Sequence, residues 1–157
     1  MTTDVTDAPR PPETGPGQAL FAFVRHWSRR WNTAADGQAA QSGRHVLVTE
    51  AVHALAGRRG GATINDVARE IGIDQSGASR LVKDAVAAGH LELRPSTADA
   101  RRREVSVTAG GRTLLRDAHR WQEEAFAHLT EGWTARQRNE FHRAMLRLME
   151  RSHTLEP

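Results

Sequence analysis

The chain has 157 residues and a formal net charge of +3, so it can form one compact domain with a sizeable core, or a smaller lobe with additional helices. It contains no cysteine, which excludes disulfides, thiolate metal ligands and thiol-based redox sensing. No run approaches the ~20 apolar residues of a membrane span, and the N-terminus lacks an apolar signal region, so we expect a cytoplasmic protein without a membrane partner.

The N-terminal part divides into a tail and a helix. Residues 1–16 hold four of the six prolines and almost no apolar side chains, which predicts a disordered tail before a single domain at residues 17–157. A helix is predicted from Gln18 to about Ala35, because its large apolar side chains form one stripe: Leu20, Phe21, Val24, Trp27 and Trp31. A lone helix cannot bury so much aromatic surface, so we expect the stripe to pack in a core or a dimer interface. The alternative is a ligand pocket lined by His26, Trp27 and Trp31.

The next segment is predicted to be a loop followed by a helix. Asp36 to Gly43 combines glycine, serine and other polar residues, which indicates a loop. A helix is expected from about Arg44 to Gly57, with Val48, Val52 and Leu55 on one face. Arg58 to Gly61 then forms a flexible basic turn.

Apolar residues in the middle of the chain recur every three or four positions, with a break near Gly72, which predicts two short helices. Thr63 is placed to cap the first helix, and Asp66 lies three residues further on. Gly72 can adopt the left-handed conformation that ends a helix, and Asp74 can cap a second helix that begins at Gln75. This is a helix-turn-helix pattern.

The second helix of this pair has a polar face near its N-terminus, formed by Gln75, Ser76, Ser79, Arg80 and Lys83. A recognition helix directs this end at base edges, and Gln, Ser and Arg side chains are able to read bases. The alternative is a solvated face on an ordinary three-helix core.

A basic hairpin is predicted after the second helix. Leu91 to Arg94 and Glu104 to Thr108 alternate apolar and polar residues, as half-buried strands do. Asp99 to Arg103 lies between them and contains three adjacent arginines. Like charges at a solvated tip gain little from folding, but they bind phosphates or a narrow minor groove. Residues 58–116 carry eleven basic against seven acidic residues, a local charge of +4, which fits a winged helix with a DNA-binding face.

The C-terminal third predicts two more helices. Ala109 to Glu131 carries large apolar residues at helical spacing, and Gly132 interrupts the pattern. Thr134 and Gln137 form a capping box for a last helix with Phe141, Ala144, Met145 and Leu148 on one face. These helices exceed what a small winged lobe needs, so we expect a homodimer built from both chain ends.

The sequence resembles MarR-type transcriptional regulators. The resemblance rests on Ser79–Val82, Gly89–Leu91, Asp99–Arg101 and Val105–Gly111, and it extends over roughly residues 46–129. It implies a mainly α fold with a small β-hairpin wing, in which residues 44–108 form a winged helix-turn-helix DNA-binding lobe and residues 17–43 and 109–157 form dimerisation helices. It also implies a sequence-specific regulator, most often a repressor, that binds a pseudo-palindromic operator. A small aromatic or anionic effector often releases the DNA in this family.

Functional residues are assigned on this basis. We expect the following to contact double-stranded DNA, with Asp99 orienting Arg101: Thr63, Gln75, Ser76, Ser79, Arg80, Lys83, Arg101, Arg102 and Arg103. The resemblance places the effector cavity near the first helix, with His26, Trp27, Trp31 and His53 as candidate lining residues.

The sequence contains few signs of a metal, cofactor or catalytic site. The eight histidines are scattered without an i, i+4 pair, so we expect no metal site and no cofactor, and a zinc-responsive regulator of the same fold is an alternative. Gly60–Gly61 and Gly110–Gly111 are interpreted as helix breakers, because no glycine-rich phosphate loop follows a strand. No catalytic constellation is found, so we do not expect an enzyme. A winged-helix protein-interaction module without an operator is a second alternative.

Overall fold

The computed structural model describes residues 14–32, 37–96, 103–152 and 154, with the side chains of residues 29–32 and 37–40 excepted. Most of the predicted disordered tail therefore lies outside the described residues. Within the described ranges the fold is mainly α-helical with one two-stranded antiparallel hairpin, as predicted. The elements are α1 Pro16–Asn32, α2 Gly37–Arg59, α3 Ile64–Ile71, α4 Gln75–Ala87, β1 Leu91–Pro95, β2 Arg103–Val107, α5 Ala109–Leu129 and α6 Ala135–Ser152.

Helix α2 is longer than the sequence predicted. It begins at Gly37, so the loop expected from Asp36 to Gly43 is wrong for residues 37–43, which form the first two turns of the helix. Gly37, Ser42 and Gly43 suggested a loop, but the intervening residues are two alanines and two glutamines, which have high helix propensity. Helix α2 also continues to Arg59 before Gly60, with φ of +77°, ends it.

The helix-turn-helix is set by the caps that the sequence predicted. Thr63 Oγ1 accepts a hydrogen bond from the Asp66 backbone N–H at 3.2 Å, and the Asp66 carboxylate accepts one from the Thr63 N–H at 3.0 Å. Gly72 ends α3 with φ of +75°, and its N–H bonds to the Ala68 carbonyl. Asp74 caps α4, accepting a hydrogen bond from the Gly77 N–H at 2.9 Å. These caps confirm the predicted starts of both short helices and the predicted end of the first.

The hairpin β1–β2 packs beside α4. Its register pairs Leu91 with Val107 and Leu93 with Val105, while the residues between them face the opposite side. The Val105 N–H also bonds to the carbonyl oxygen of Ala62 at 2.7 Å, which attaches the segment before α3 to the hairpin edge. The predicted wing is confirmed in its two strands, and its tip at residues 97–102 lies outside the described residues.

One hydrophobic core holds the lobe together. It is formed by residues of α2, α3, α4, the hairpin and the segment before α3, all with 6% exposure or less: Val48, Val52, Leu55, Ala62, Val67, Ala68, Ala78, Val82, Ala85, Leu91 and Val105. Small alanines of α3 and α4 lie in this core, which allows the two helices to pack closely. Helix α2 is therefore the central support against which α3, α4 and the hairpin pack.

Helix α5 begins against the turn that follows α4. Thr108 caps α5, and its hydroxyl donates to the Gly89 carbonyl oxygen at 2.6 Å. Gly111 is buried in the first turn of α5, where an added Cβ would lie 2.1 Å from the carbonyl oxygen of His90. The interpretation of Gly110–Gly111 as a helix breaker is wrong. The pair lies inside α5 and permits backbone to approach backbone.

The terminal helices expose the apolar surface that the sequence predicted they would carry. Phe21 is 64% exposed in α1, Trp121 is 50% exposed in α5 and Met149 is 58% exposed in α6. Helix α6 has no buried residue, although the Thr134–Gln137 capping box that starts it is confirmed. None of the helices in the described ranges is both long and apolar enough to cross a membrane.

Candidate nucleic-acid interface

Helix α4 presents one polar, exposed face and one buried face. Ala78, Val82 and Ala85 are buried in the core. On the other side the side chains of Gln75, Ser76, Arg80 and Lys83 are exposed, and Ser79 is half-buried at the edge. Arg80 and Lys83 form no ion pair with any residue that the structure describes, so their charges are available to a ligand.

The N-terminus of α4 is closed by its own cap. The Asp74 carboxylate accepts hydrogen bonds from the Ser76 hydroxyl at 2.5 Å and from the Gly77 N–H at 2.9 Å. These hydrogen bonds hold the pKa of Asp74 below its usual value, the one from the Ser76 side chain most strongly. A carboxylate already occupies this helix end, so a phosphate is better bound by the side chains of α4 than by its free N–H groups.

Thr63 differs from the other predicted DNA contacts. Its side chain is half-buried, and its hydroxyl donates to the Asp66 carboxylate at 2.6 Å while accepting from the Asp66 N–H. The hydrogen bonds that the Asp66 carboxylate accepts from the Thr63 hydroxyl and from the Thr63 backbone N–H lower the pKa of Asp66, the hydroxyl bond most strongly. The geometry gives Thr63 a structural part in capping α3, and its predicted contact with DNA stays a prediction.

The described part of the wing adds one exposed cation at its outer end. Arg103 lies opposite Pro95 in the last pair of the hairpin and is exposed. Arg94 bonds to Glu92 at 2.9 Å on the outer face of β1. Asp99, Arg101 and Arg102 lie outside the described residues, so the predicted pairing of Asp99 with Arg101 stays a prediction.

Two arginines of the basic segment are engaged elsewhere. Arg58 pairs with Glu70 at 2.7 Å, and Arg59 approaches Asp66 at 3.5 Å. Both are in the last turn of α2, and both acidic partners are on α3. These ion pairs fix α3 to the end of α2 and leave less free positive charge there than the sequence suggested.

The candidate effector residues are partly brought together. Trp27 is half-buried, and its ring lies 6.2 Å from that of Trp121 on α5 and 6.0 Å from that of His26. Phe23 adds a third aromatic contact at 6.2 Å. His53 is exposed on α2, and no ring contact joins it to this cluster among the described residues. The Trp31 side chain is outside the described part of the chain.

A separate cavity of about 530 Å³ lies between α5 and α6. Its lining includes Phe126, Arg138, His142 and Met145, and none of the four candidate effector residues. Phe126 stacks on Phe141 at 6.1 Å beside the cavity, which holds α6 against α5. This cavity lies on the helices predicted to dimerise.

Two inter-helix histidine contacts were not foreseen from the sequence. His119 on α5 bonds to Glu50 on α2. His45 on α2 is buried and its ring packs against that of His90, in the turn after α4. The only available signal was that His45 lies three and seven residues before Val48 and Val52, on the apolar face of α2. Within the described ranges no group of three or more His, Asp or Glu side chains is arranged to hold a metal ion.

Comparison with known proteins agrees with this geometry. A model of the MarR family matches residues 46–102. The structure of a MarR family transcription regulator, SP03579, is similar with a TM-score of 0.60 and 18% identity, covering 88% of this chain and 93% of that one. Bordetella bronchiseptica BpsR, whose DNA binding is regulated by 6-hydroxynicotinic acid, is similar with a TM-score of 0.58 and 20% identity, covering 95% and 100%. A Staphylococcus aureus MepR–DNA complex is similar with a TM-score of 0.58 and 19% identity, covering 90% and 99%.

No curated protein sequence matches the chain significantly. The resemblance inferred from the sequence is nevertheless confirmed, because the MarR family model matches residues 46–102 and the described part of the chain has the fold of a solved MarR family regulator. At identities of about 20% the structural likeness concerns the fold.

Proposed function

From this MarR-type fold we propose that the protein is a transcriptional regulator that binds a pseudo-palindromic DNA operator as a homodimer. One observation carries the proposal. One face of α4 is exposed, and its Arg80 and Lys83 side chains form no ion pair with any residue that the structure describes. The opposite face of the same helix is buried in the hydrophobic core. A rigid helix with such a face is what major-groove recognition requires.

Each candidate residue is assigned a DNA contact from its position in the lobe and the chemistry of its side chain. Gln75, Ser76, Ser79 and Arg80 contact base edges or adjacent phosphates in the major groove. Lys83 and Arg103 contact the phosphate backbone, together with Arg102. Arg101 enters the minor groove at the wing tip, where Asp99 orients it. Support for the wing contacts is the direction of the hairpin, which carries Arg103 to its outer end.

The dimer is proposed from the apolar surface of the terminal helices. Leu146, Leu148 and Met149 of α6 are each more than half exposed, as is Phe21 of α1. Burying such side chains is worth about 1.5–3 kcal/mol each, so association is strongly favoured. We expect Leu148→Glu to convert the dimer to a monomer in sedimentation velocity at micromolar concentration. Arg143→Glu, an exposed charge change on the same helix, should leave the dimer intact.

A small-molecule effector is proposed for the cluster that joins α1 to α5. Phe23, Trp27 and Trp121 present aromatic surface that is partly exposed, and His26 adds a polar group. A planar aromatic acid suits such a cluster, and 6-hydroxynicotinic acid is a ligand of this type for the similar BpsR. This assignment is tested by measuring how aromatic carboxylic acids quench the tryptophan fluorescence of the wild type and of the Trp121→Leu variant. Saturable quenching in the wild type that is weakened in Trp121→Leu supports the assignment, and equal quenching in both proteins contradicts it.

The first experiment is selection of bound duplexes from a random pool at physiological salt, followed by sequencing. An inverted repeat with half-sites about one helical turn apart supports both the operator and the dimer. A flat pool that binds only at low salt would contradict specific recognition and favour a module that holds DNA, or a protein, without reading sequence.

Single arginine variants then distinguish sequence-specific base contacts from phosphate contacts. Arg80→Ala should cost about 1–3 kcal/mol on the selected duplex and much less on random DNA. Arg103→Ala should weaken both duplexes alike and reduce the salt slope by about one. Arg116→Ala, an exposed arginine on α5, is the matched control and should change neither. Equal losses for Arg80→Ala on both duplexes would show that Arg80 contacts phosphate only.

A further inference from the structure

Two imidazoles from distant parts of the chain meet inside the lobe. His45 belongs to α2 and is only 7% exposed. His90 lies in the turn between α4 and β1, and the two ring centroids are 5.4 Å apart with the ring planes tilted by 62°. The contact therefore joins the central helix to the exit of the recognition helix.

Buried polar atoms at this contact lack hydrogen-bond partners among the described residues. His45 Nε2, His90 Nδ1 and the Thr49 hydroxyl oxygen are buried without a hydrogen-bond partner among the residues that the structure describes. Thr49 follows His45 by one helical turn, so its hydroxyl lies on the same face of α2 as the His45 ring. A neutral imidazole can be buried there at modest cost, whereas an imidazolium without an acceptor is strongly disfavoured.

Burial and most of the surrounding charges also favour a neutral His45. Burial most strongly holds the pKa of His45 below its ordinary value of 6.5, and the neighbouring His90 lowers it further. Arg44 also lowers the pKa of His45, and only Asp84 of α4 opposes this by raising it. The net preference is for a neutral His45 as long as α2 stays packed on the turn.

The turn that contains His90 is connected to α4, to the end of the hairpin and to α5. The His90 N–H bonds to Ala85 near the end of α4 at 2.9 Å, and its carbonyl accepts from the Thr108 N–H at 3.1 Å. Gly111 of α5 lies directly against the same carbonyl. A displacement of His90 by His45 therefore moves α4, the end of the hairpin and the start of α5 together.

We propose that the His45–His90 contact is a pH-sensitive latch, in which protonation of His45 in mild acid opens the contact between α2 and the turn after α4 and weakens DNA binding. This inference rests on the proposed DNA-binding function for its readout. The latch itself is a property of the folded lobe and is tested separately by stability.

The sign follows from the two protonation states. The latched form has a lowered His45 pKa, while the opened form exposes His45 and restores the ordinary value of 6.5. Affinity and stability are therefore fully present above about pH 6.5 and fall as the pH drops from there towards the lowered pKa. Each unit by which the pKa is lowered gives about a tenfold loss of affinity per protomer.

The experiment measures DNA affinity by fluorescence anisotropy from pH 5.5 to 8 at constant ionic strength, together with urea unfolding over the same range. His45→Phe keeps an aromatic ring against His90 but cannot be protonated. His53→Phe is the matched control, because His53 is exposed on the same helix. His90→Gln removes the second imidazole, so it should reduce the total pH effect without abolishing it.

We expect wild type and His53→Phe to lose affinity and stability below pH 6.5, and His45→Phe to lose neither. Exposed histidines act in the opposite direction, since their protonation adds positive charge and strengthens DNA binding as the pH falls. Equal pH profiles for wild type and His45→Phe would overturn the latch. If no variant binds DNA at any pH, the proposed function fails, while the unfolding profiles still decide whether the latch exists. Should His45→Phe not fold, an undiminished pH effect in His90→Gln would also count against it.

Discussion

Gly111→Ala tests the closest backbone contact in the lobe. The added Cβ would lie 2.1 Å from the His90 carbonyl oxygen and 2.7 Å from Cγ1 of Val107. A backbone carbonyl cannot rotate away as a side chain can, so the clash displaces α5 from the turn and costs about 3 kcal/mol. Alanine is a better helix former than glycine by about 1 kcal/mol. We therefore expect a net loss of about 2 kcal/mol.

The matched control is Gly57→Ala. Gly57 is also helical, but nothing lies within 4 Å of its added Cβ, so alanine should stabilise the protein by up to about 1 kcal/mol. Equilibrium urea unfolding at one fixed protein concentration measures both variants, since a dimer's stability depends on concentration. The thermal midpoint of Gly111→Ala should fall by about 6 °C. If Gly111→Ala is as stable as Gly57→Ala, the close contact does not hold α5 to the lobe.

Two further predictions concern the helix-turn-helix caps. Thr63→Ala should lower the free energy of unfolding by about 1 kcal/mol in urea unfolding, because it removes the N-cap of α3. The control Thr113→Ala, on the exposed side of α5, should change the free energy of unfolding by no more than about 0.5 kcal/mol. Equal effects of the two substitutions would show that the Thr63 cap does not stabilise the fold. Asp66 and Asp74 have pKa values lowered from the ordinary 3.8, so their stabilisation is fully present above about pH 3.8 and is lost as the pH falls from there through the lowered pKa values. Acid unfolding of Asp66→Asn should accordingly show a shallower decline than wild type below pH 4, and an unchanged profile would contradict the assignment.

The helix-turn-helix could be predicted because its signals are local. Thr63, Gly72 and Asp74 specify ends of short helices through bonds to residues at most four positions away. The hairpin was equally accessible from its alternation of apolar and polar residues, although its tip remains a prediction. The apolar stripes of the terminal helices were also correctly placed, because they follow from periodicity alone.

The first two turns of α2 were missed because Gly37 and Gly43 suggested a loop, although the alanines and glutamines between them have high helix propensity. Features that depend on contacts between elements were missed as well. Gly111 was interpreted as a breaker because the carbonyl it touches belongs to a turn 21 residues earlier in the chain. The His45–His90 pair is separated by 45 residues, so no local pattern could bring the two rings together.

The contact at Gly111 gives α5 the properties of a lever. The helix has 21 residues, about 30 Å at 1.5 Å per residue, and its first turn bears directly on the lobe. A tilt of about 5° around that bearing point moves the Leu129 end by 2–3 Å, or conversely turns a small displacement near Trp121 into a rotation of the whole lobe. Because Gly111 has no side chain that could deform, the backbone of α5 packs directly on the backbone of the turn, and this contact point moves little. In the proposed symmetric dimer such rotations would be applied twice, so the spacing of the two α4 helices would respond to small changes at the aromatic cluster.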